Sequence, residues 1–246
     1  MKHRDKTERG VEALARKRKS NQLTDKQRSL ISHHAQKSPV TEQFRTLRTN
    51  IQFSSIDKVV KKILISSSGP AEGKSTVIAN LGVVMAQQGK RVLLIDSDLR
   101  KPTVHFTFQL ENTFGLTSVL TRAESFESAV QETAVENLEV LTSGPVPPNP
   151  SELIGSRSME LFLSQIEKDY DYILFDAPPI NVVTDGQILA TKTDGVVLVI
   201  RSGKTEKEAA IKAVELLKKT NSNIIGTVLN DREMKEDTYY YYAEGK

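Results

Sequence analysis

Apolar residues along this 246-residue chain fall into two kinds of segment that alternate. The first kind is a short run without polar interruption, as at 63–65, 92–95, 173–175 and 196–200. Such runs, rich in β-branched residues and bounded by polar or Gly/Pro residues, are the pattern of strands buried on both faces. They predict strands over Lys61–Ser66, Arg91–Asp96, Leu138–Leu141, Tyr172–Asp176, Gly195–Arg201 and Asn223–Asn230. The second kind has helical spacing. It predicts helices over Thr41–Ser55 (Phe44, Leu47 and Ile51, with Val40 close by), Lys74–Gln88, Thr184–Ala190 and Glu206–Lys219. A further helix, capped by Ser151, would use Leu153, Ile154, Leu161, Phe162 and Ile166 as its apolar positions. Strands alternating with helices imply right-handed crossovers and an α/β fold, a doubly wound and mostly parallel sheet covered on both faces.

The ends of the chain do not share this pattern. Residues 1–37 are polar and read as a basic, flexible N-terminal arm, residues 38–231 as one domain, and residues 232–246 as a flexible Tyr-rich tail. The arm carries eleven Lys/Arg against four Asp/Glu, a net of +7, which leaves −4 for the remainder of a chain whose total is +3. That asymmetry suits a contact with anionic lipid, nucleic acid or an acidic partner, or simply a solvated tail. The absence of cysteine excludes disulfides, Cys-based metal sites and a Cys nucleophile. The four His residues form no zinc pattern, and His33 and His34 read as solvated. No apolar run approaches the ~18 residues of a membrane span, and the basic N-terminus has no apolar signal region.

Chemistry concentrates where strands end. Residues 66–76, SSSGPAEGKST, lie between the first strand and the helix from Lys74. A Gly-rich turn there points backbone N–H groups inward, and the helix N-terminus adds its positive dipole end. Gly69, Ala71, Glu72, Gly73, Lys74, Ser75 and Thr76 are the expected phosphate contacts, with Lys74 on the β- and γ-phosphates and Ser75 on Mg²⁺. Ser68 stands where the general pattern has its first glycine. Asp96 and Asp98 close the second strand, and Asp176 closes an apolar strand in the manner of a Walker B carboxylate. Phosphoryl transfer to a phenol needs a base, and Asp96 or Asp98 could serve. Arg100 could steer an acidic segment or be an ordinary loop residue. Tyr239, Tyr240, Tyr241 and Tyr242 have no core pattern around them. They could be phosphate acceptors, a partner contact or a stacking platform. Glu42, Arg45 and Arg48 recur every third residue, which suits an intrahelical ion pair or an intersubunit charge lock.

Taken together, residues 68–75, 92–102, 141–153 and 173–179, the tyrosine tail and the Glu42/Arg45/Arg48 spacing resemble the bacterial tyrosine kinases of the capsular and exopolysaccharide type, in their separate cytoplasmic form. The resemblance spans residues 39–246, and Ser68 is normal in that family. It implies a P-loop NTPase of the deviant Walker type that uses ATP and Mg²⁺ and phosphorylates its own tail tyrosines between subunits of a ring. It assigns Lys74 to the phosphates, Asp96 and Asp98 to catalysis, Ser75, Asp96 and Asp176 to the metal, and Glu42, Arg45 and Arg48 to subunit contacts. Asn230 matches a position that reads adenine in related ATPases. Expected partners are a membrane-anchored activator on a separate chain, protein substrates of polysaccharide synthesis and a tyrosine phosphatase, with nucleic acid not expected. A cytoplasmic protein recruited to the membrane by its activator is implied. Two rival readings are a partition or septum-positioning ATPase and a regulatory subunit that binds ATP without catalysis. The first carries a Lys five places before the loop lysine, where this chain has Gly69.

Overall fold

The structure is a computed structural model that describes residues 30–54 and 59–233. Tyr239–Tyr242 and most of the basic arm lie outside the described residues. Two helices come first, α1 (Ile31–His34) and α2 (Pro39–Gln52). Then follow β1 (Lys62–Ser67), α3 (Lys74–Ala86), β2 (Val92–Asp96), α4 (Val104–Phe108), α5 (Leu116–Leu120), α6 (Phe126–Ala129), β3 (Gln131–Glu132) and β4 (Leu138–Leu141). The second half holds α7 (Pro150–Gly155), α8 (Arg157–Ile166), β5 (Tyr172–Asp176), α9 (Asp185–Ala190), β6 (Gly195–Arg201), α10 (Lys207–Lys219) and β7 (Ile224–Asn230).

The strands form one sheet in the order β3-β4-β2-β5-β1-β6-β7. All pairs are parallel except β3 with β4. Successive strand residues feed two cores. Ile63 and Ile65 pack with α3, while Leu64 packs on the opposite face with α8 and α9. This is why the strand runs lack polar alternation. The chain leaves β1 toward β2 on one side and leaves β5 toward β6 on the other. The β1/β5 boundary is therefore the switch point at which such sheets open a crevice at their carboxyl ends.

Helix α3 is buried along Val77–Ala86, apolar on every side apart from Asn80, because the sheet lies beneath it and α1 and α2 lie above. Gly82 permits the close approach: a Cβ there would lie 3.3 Å from Leu138 Cδ1. Helix α2 begins at Ser38, whose side chain accepts from Thr41 N (3.1 Å), with Pro39 in its first turn.

Three expectations need correction. Residues 30–33 do not behave as part of a solvated arm, although 34–37 are exposed: Leu30 and Ser32 are buried, Ser32 N donates to Asn80 Oδ1 (2.9 Å), and Gln87 Nε2 donates to Ser32 O (3.0 Å). The helix expected from Ser151 is two helices. The break falls at Ser156, whose extended backbone and side chain, accepting from Met159 N (3.3 Å), start α8 anew. Ser151 is no cap, and Leu161 is 53% exposed rather than core. Finally, α4, α5, α6 and β3 were not expected, since each is five residues or fewer, too short to show a period.

Candidate active site

The loop after β1 supplies the cradle. Gly73 caps α3 with φ 92°, and Ala71 also has a positive φ of 60°. A side chain at Gly73 is excluded twice over, because its Cβ would sit 2.0 Å from Asn230 Nδ2. Ser68 now has a physical reason. Its hydroxyl donates to Glu72 Oε1 (2.6 Å), which also accepts from Gly69 N (2.8 Å), so a buried carboxylate inside the loop replaces the missing first glycine. Two loop carbonyls are held from outside. Asn230 Nδ2 donates to Glu72 O (3.0 Å), and Arg201 Nη1 donates to Ala71 O (3.1 Å). Those two carbonyls are engaged outside the loop and Gly69 N is taken by Glu72, so the anion site is the N-terminus of a thirteen-residue helix, where free backbone N–H groups and the dipole favour negative charge.

Lys74 stands at the centre. Its ammonium lies 3.2 Å from Asp98 Oδ2, 3.4 Å from Asp176 Oδ1 and 3.4 Å from Ser75 Oγ. Burial alone would lower its pKa, but Asp176, Asp98 and Asp96 outweigh burial and raise it, so the lysine is a fixed cation. Asp96 and Asp176 are register partners on adjacent parallel strands, and both are fully buried. Asp96 Oδ2 accepts from Thr103 N and Val104 N (both 3.0 Å), and Oδ1 from Asp98 N (3.3 Å). Burial, then the charge of Asp176, pushes the Asp96 carboxyl up to about 8. Burial also raises Asp176, against the pull of Lys74.

The site therefore concentrates three carboxylates around one lysine. Asp176 Oδ2 is buried and has no hydrogen-bond partner among the described residues. An orphaned buried carboxylate oxygen beside the Ser75 hydroxyl fits a hydrated divalent cation carried in with a nucleotide. Thr103, not anticipated from sequence, donates its hydroxyl to Ser75 Oγ (3.1 Å) and so orients it.

The expected site residues divide into groups. Gly69, Ala71, Glu72, Gly73, Lys74, Ser75, Thr76, Asp96, Asp98, Asp176 and Asn230 all belong to the carboxyl edge of β1, β2, β5 and β7 or to the loop and helix start that β1 feeds. Glu42, Arg45 and Arg48 lie apart on α2. Arg45 pairs with Glu42 on the same helix, whereas Arg48 Nη1 donates to Val84 O of α3 (2.7 Å). Arg100 is committed to Asp185 rather than free to steer (Nε to Oδ2, 2.8 Å). Thr103 and Arg201 reach the site only through tertiary structure, so no local signal marks them.

The family model described as an AAA domain matches residues 60–232. Among curated proteins, the tyrosine-protein kinase YwqD of Bacillus subtilis (strain 168) is 52% identical over 226 residues, 92% of this chain and 95% of that one. The putative tyrosine-protein kinase CapB of Staphylococcus aureus is 42% identical over 225 residues, 90% of this chain and 99% of that one. Among solved structures, the crystal structure of the chimerical protein CapA2B2 superposes with a TM-score of 0.82 at 43% identity, covering 84% of this chain and 91% of that one.

Proposed function

The chain belongs to the bacterial tyrosine-protein kinases, and from that premise we propose that it moves the γ-phosphoryl group of ATP onto Tyr239–Tyr242 of a neighbouring subunit. The observation that carries this reading is the cage of Asp98, Asp176 and Ser75 around Lys74, at the N-terminus of α3. Lys74 neutralises charge on the β- and γ-phosphates. Ser75 and Asp176, with Asp96 behind them, would hold the nucleotide's Mg²⁺, which offsets the negative charge of the phosphates when bound.

Asp98 is the better placed of the two candidate bases. Asp96 is fully buried and engaged by three backbone N–H groups, while Asp98 touches Lys74 and retains slight exposure. Once a nucleotide claims Lys74, the Asp98 carboxylate is free to accept the phenolic proton as the O–P bond forms. The departing ADP takes the electron pair of the broken bond. Asn230, one residue past which the chain turns, would face the adenine.

The wider reading follows the family. The kinase acts in capsular or exopolysaccharide synthesis, is switched on by a membrane-anchored activator and is reset by a tyrosine phosphatase. It assembles into a ring through α2, and its tail remains a separate acceptor segment. No helix among the described residues is long and apolar enough to cross a membrane, which suits activation by a separate anchored chain.

The test is incubation with ATP·Mg²⁺ and a cytoplasmic fragment of the activator, followed by mass spectrometry of the C-terminal peptide. Phosphate on Tyr239–Tyr242 is expected, and Lys74→Met should abolish it. An unmodified tail in the activated wild type would rule out autokinase activity.

A further inference from the structure

The segment from Asp96 to Val104 bears the site acid Asp98 and is pinned from several directions. Ser97 N and Oγ both donate to Asp176 O (2.9 and 2.8 Å), and Thr103 N and Val104 N donate to Asp96. Lys101 N donates to Asp98 Oδ1 (3.0 Å), which makes residues 98–101 a single turn. Arg100, inside that turn, reaches across to α9. Its Nε donates to Asp185 Oδ2 (2.8 Å) and its Nη2 to Asp185 Oδ1 (3.1 Å), a bidentate fork. Ser151 of α7 donates its hydroxyl to the same carboxylate (2.6 Å). Segments that follow β2, β4 and β5 thus converge on one fully buried acid.

A buried carboxylate is costly unless it is paired and hydrogen-bonded. Burial would raise the Asp185 pKa, but the bonds from Arg100 and Ser151 reverse that and hold it below the usual carboxylate range. The Asp185 carboxylate is therefore a fixed anchor on which Arg100 seats the turn that carries Asp98. Among the described residues, the hydrogen bonds and ion pair of Arg100 go to Asp185 and Ser151, not to the phosphate loop or Lys74. Two of its three nitrogens are occupied by Asp185, with Ser151 also within 3.3 Å of Nη2.

We propose that Arg100 and Asp185 are positioning residues for phosphoryl transfer, holding Asp98 in line with Lys74. The inference rests on the assignment of Asp98 as the site acid. Displacing a reacting group by about 1 Å can cost ~10²-fold in rate. Nucleotide binding, carried by residues 68–76, would be spared.

The experiment measures kcat and the KM for ATP in tail phosphorylation, together with the Kd for a fluorescent ATP analogue. It compares the wild type, Arg100→Ala, Arg100→Lys, Asp185→Asn and the double variant Arg100→Ala/Asp185→Asn. Arg100→Ala and Asp185→Asn should each lower kcat by about 10- to 100-fold with KM and Kd within about twofold. Arg100→Lys should recover only part of the loss, because an ammonium cannot make the fork. The double variant should be no slower than the slower single variant, since both remove one device. An unchanged kcat in Arg100→Ala would overturn the inference. So would losses that multiply in the double variant, or a loss of nucleotide Kd equal to the loss of kcat. If Arg100 instead steers an acidic acceptor, Asp185→Asn would leave kcat intact and Arg100→Ala would raise the KM for the acceptor peptide, which also overturns it. A wild type that transfers no phosphate would sink the kinase assignment itself, before any substitution is compared.

Discussion

Asp96 lies opposite Asp176 on the neighbouring strand, and both are out of contact with water. Two carboxylates so placed cannot both ionise freely, and one lysine does not neutralise them. Because the folded-state pKa of Asp96 is raised from 3.8 to about 8, the native protein holds a proton there that the unfolded chain has shed. Stability of the metal-free protein from this group is therefore greatest at low pH and falls as pH rises through that window. Asp96→Asn should flatten the dependence of the urea midpoint on pH between about 4 and 8. A parallel pair of curves for wild type and variant would refute this. Gly73 offers a second check: Gly73→Ala forces a side chain into a left-handed φ against Asn230, and should cost about 1–3 kcal/mol with loss of nucleotide affinity. At this scale the sequence was most informative where residue type dictates chemistry, as at Lys74, Ser75 and Asp176. Ser68 needed the structure, because its partner Glu72 is recognisable only once the loop has folded around it.

Helices α2 and α3 show how one repeated spacing serves two ends. Glu42 and Arg45 stay at the surface of α2, while Arg48 turns inward to a carbonyl of α3. Burial, then the nearby charge of Arg45, lowers the Arg48 pKa. Arg48→Ala should therefore weaken the isolated subunit by about 1.5–3 kcal/mol in urea unfolding, the usual worth of a hydrogen bond from a charged donor. Arg45→Ala should cost no more than ~0.5 kcal/mol in the same assay, as a partly solvated intrahelical pair does. If both behave as surface residues in the monomer, Arg48 does not join α2 to α3. The spacing made α2 legible as a helix, but its three-residue repeat could not distinguish a residue that faces α3 from one that faces a second subunit. Likewise, the apolar positions from Leu153 to Ile166 were visible, but the break at Ser156 depends on a cap inside what looked like one helix. Strands β1, β2, β5 and β6 were legible because burial on both faces leaves continuous apolar runs, a signal that the two-residue β3 lacks.

On the scale of the whole molecule, the phosphate loop and the proposed acceptor tyrosines lie far apart along the chain. The phosphate loop follows β1, and the tyrosines lie beyond β7. Four phosphotyrosines would add roughly −6 to −8 of charge. Such a segment would be repelled by the Asp98 carboxylate and by the phosphates of a bound nucleotide, so phosphorylation should favour release of the tail and separation of subunits. The phosphorylated protein should therefore elute later on sizing than the unphosphorylated one. An unchanged elution would argue against coupling between charge and assembly. The most direct measurement of the central claim mixes two inactive halves in the presence of activator fragment and ATP·Mg²⁺. One chain carries Lys74→Met with its tyrosines intact; the other keeps Lys74 with Tyr239–Tyr242 all changed to Phe. Transfer between subunits predicts phosphate on the tail of the Lys74→Met chain. No phosphate on that chain, under conditions in which the wild type labels itself, would contradict it.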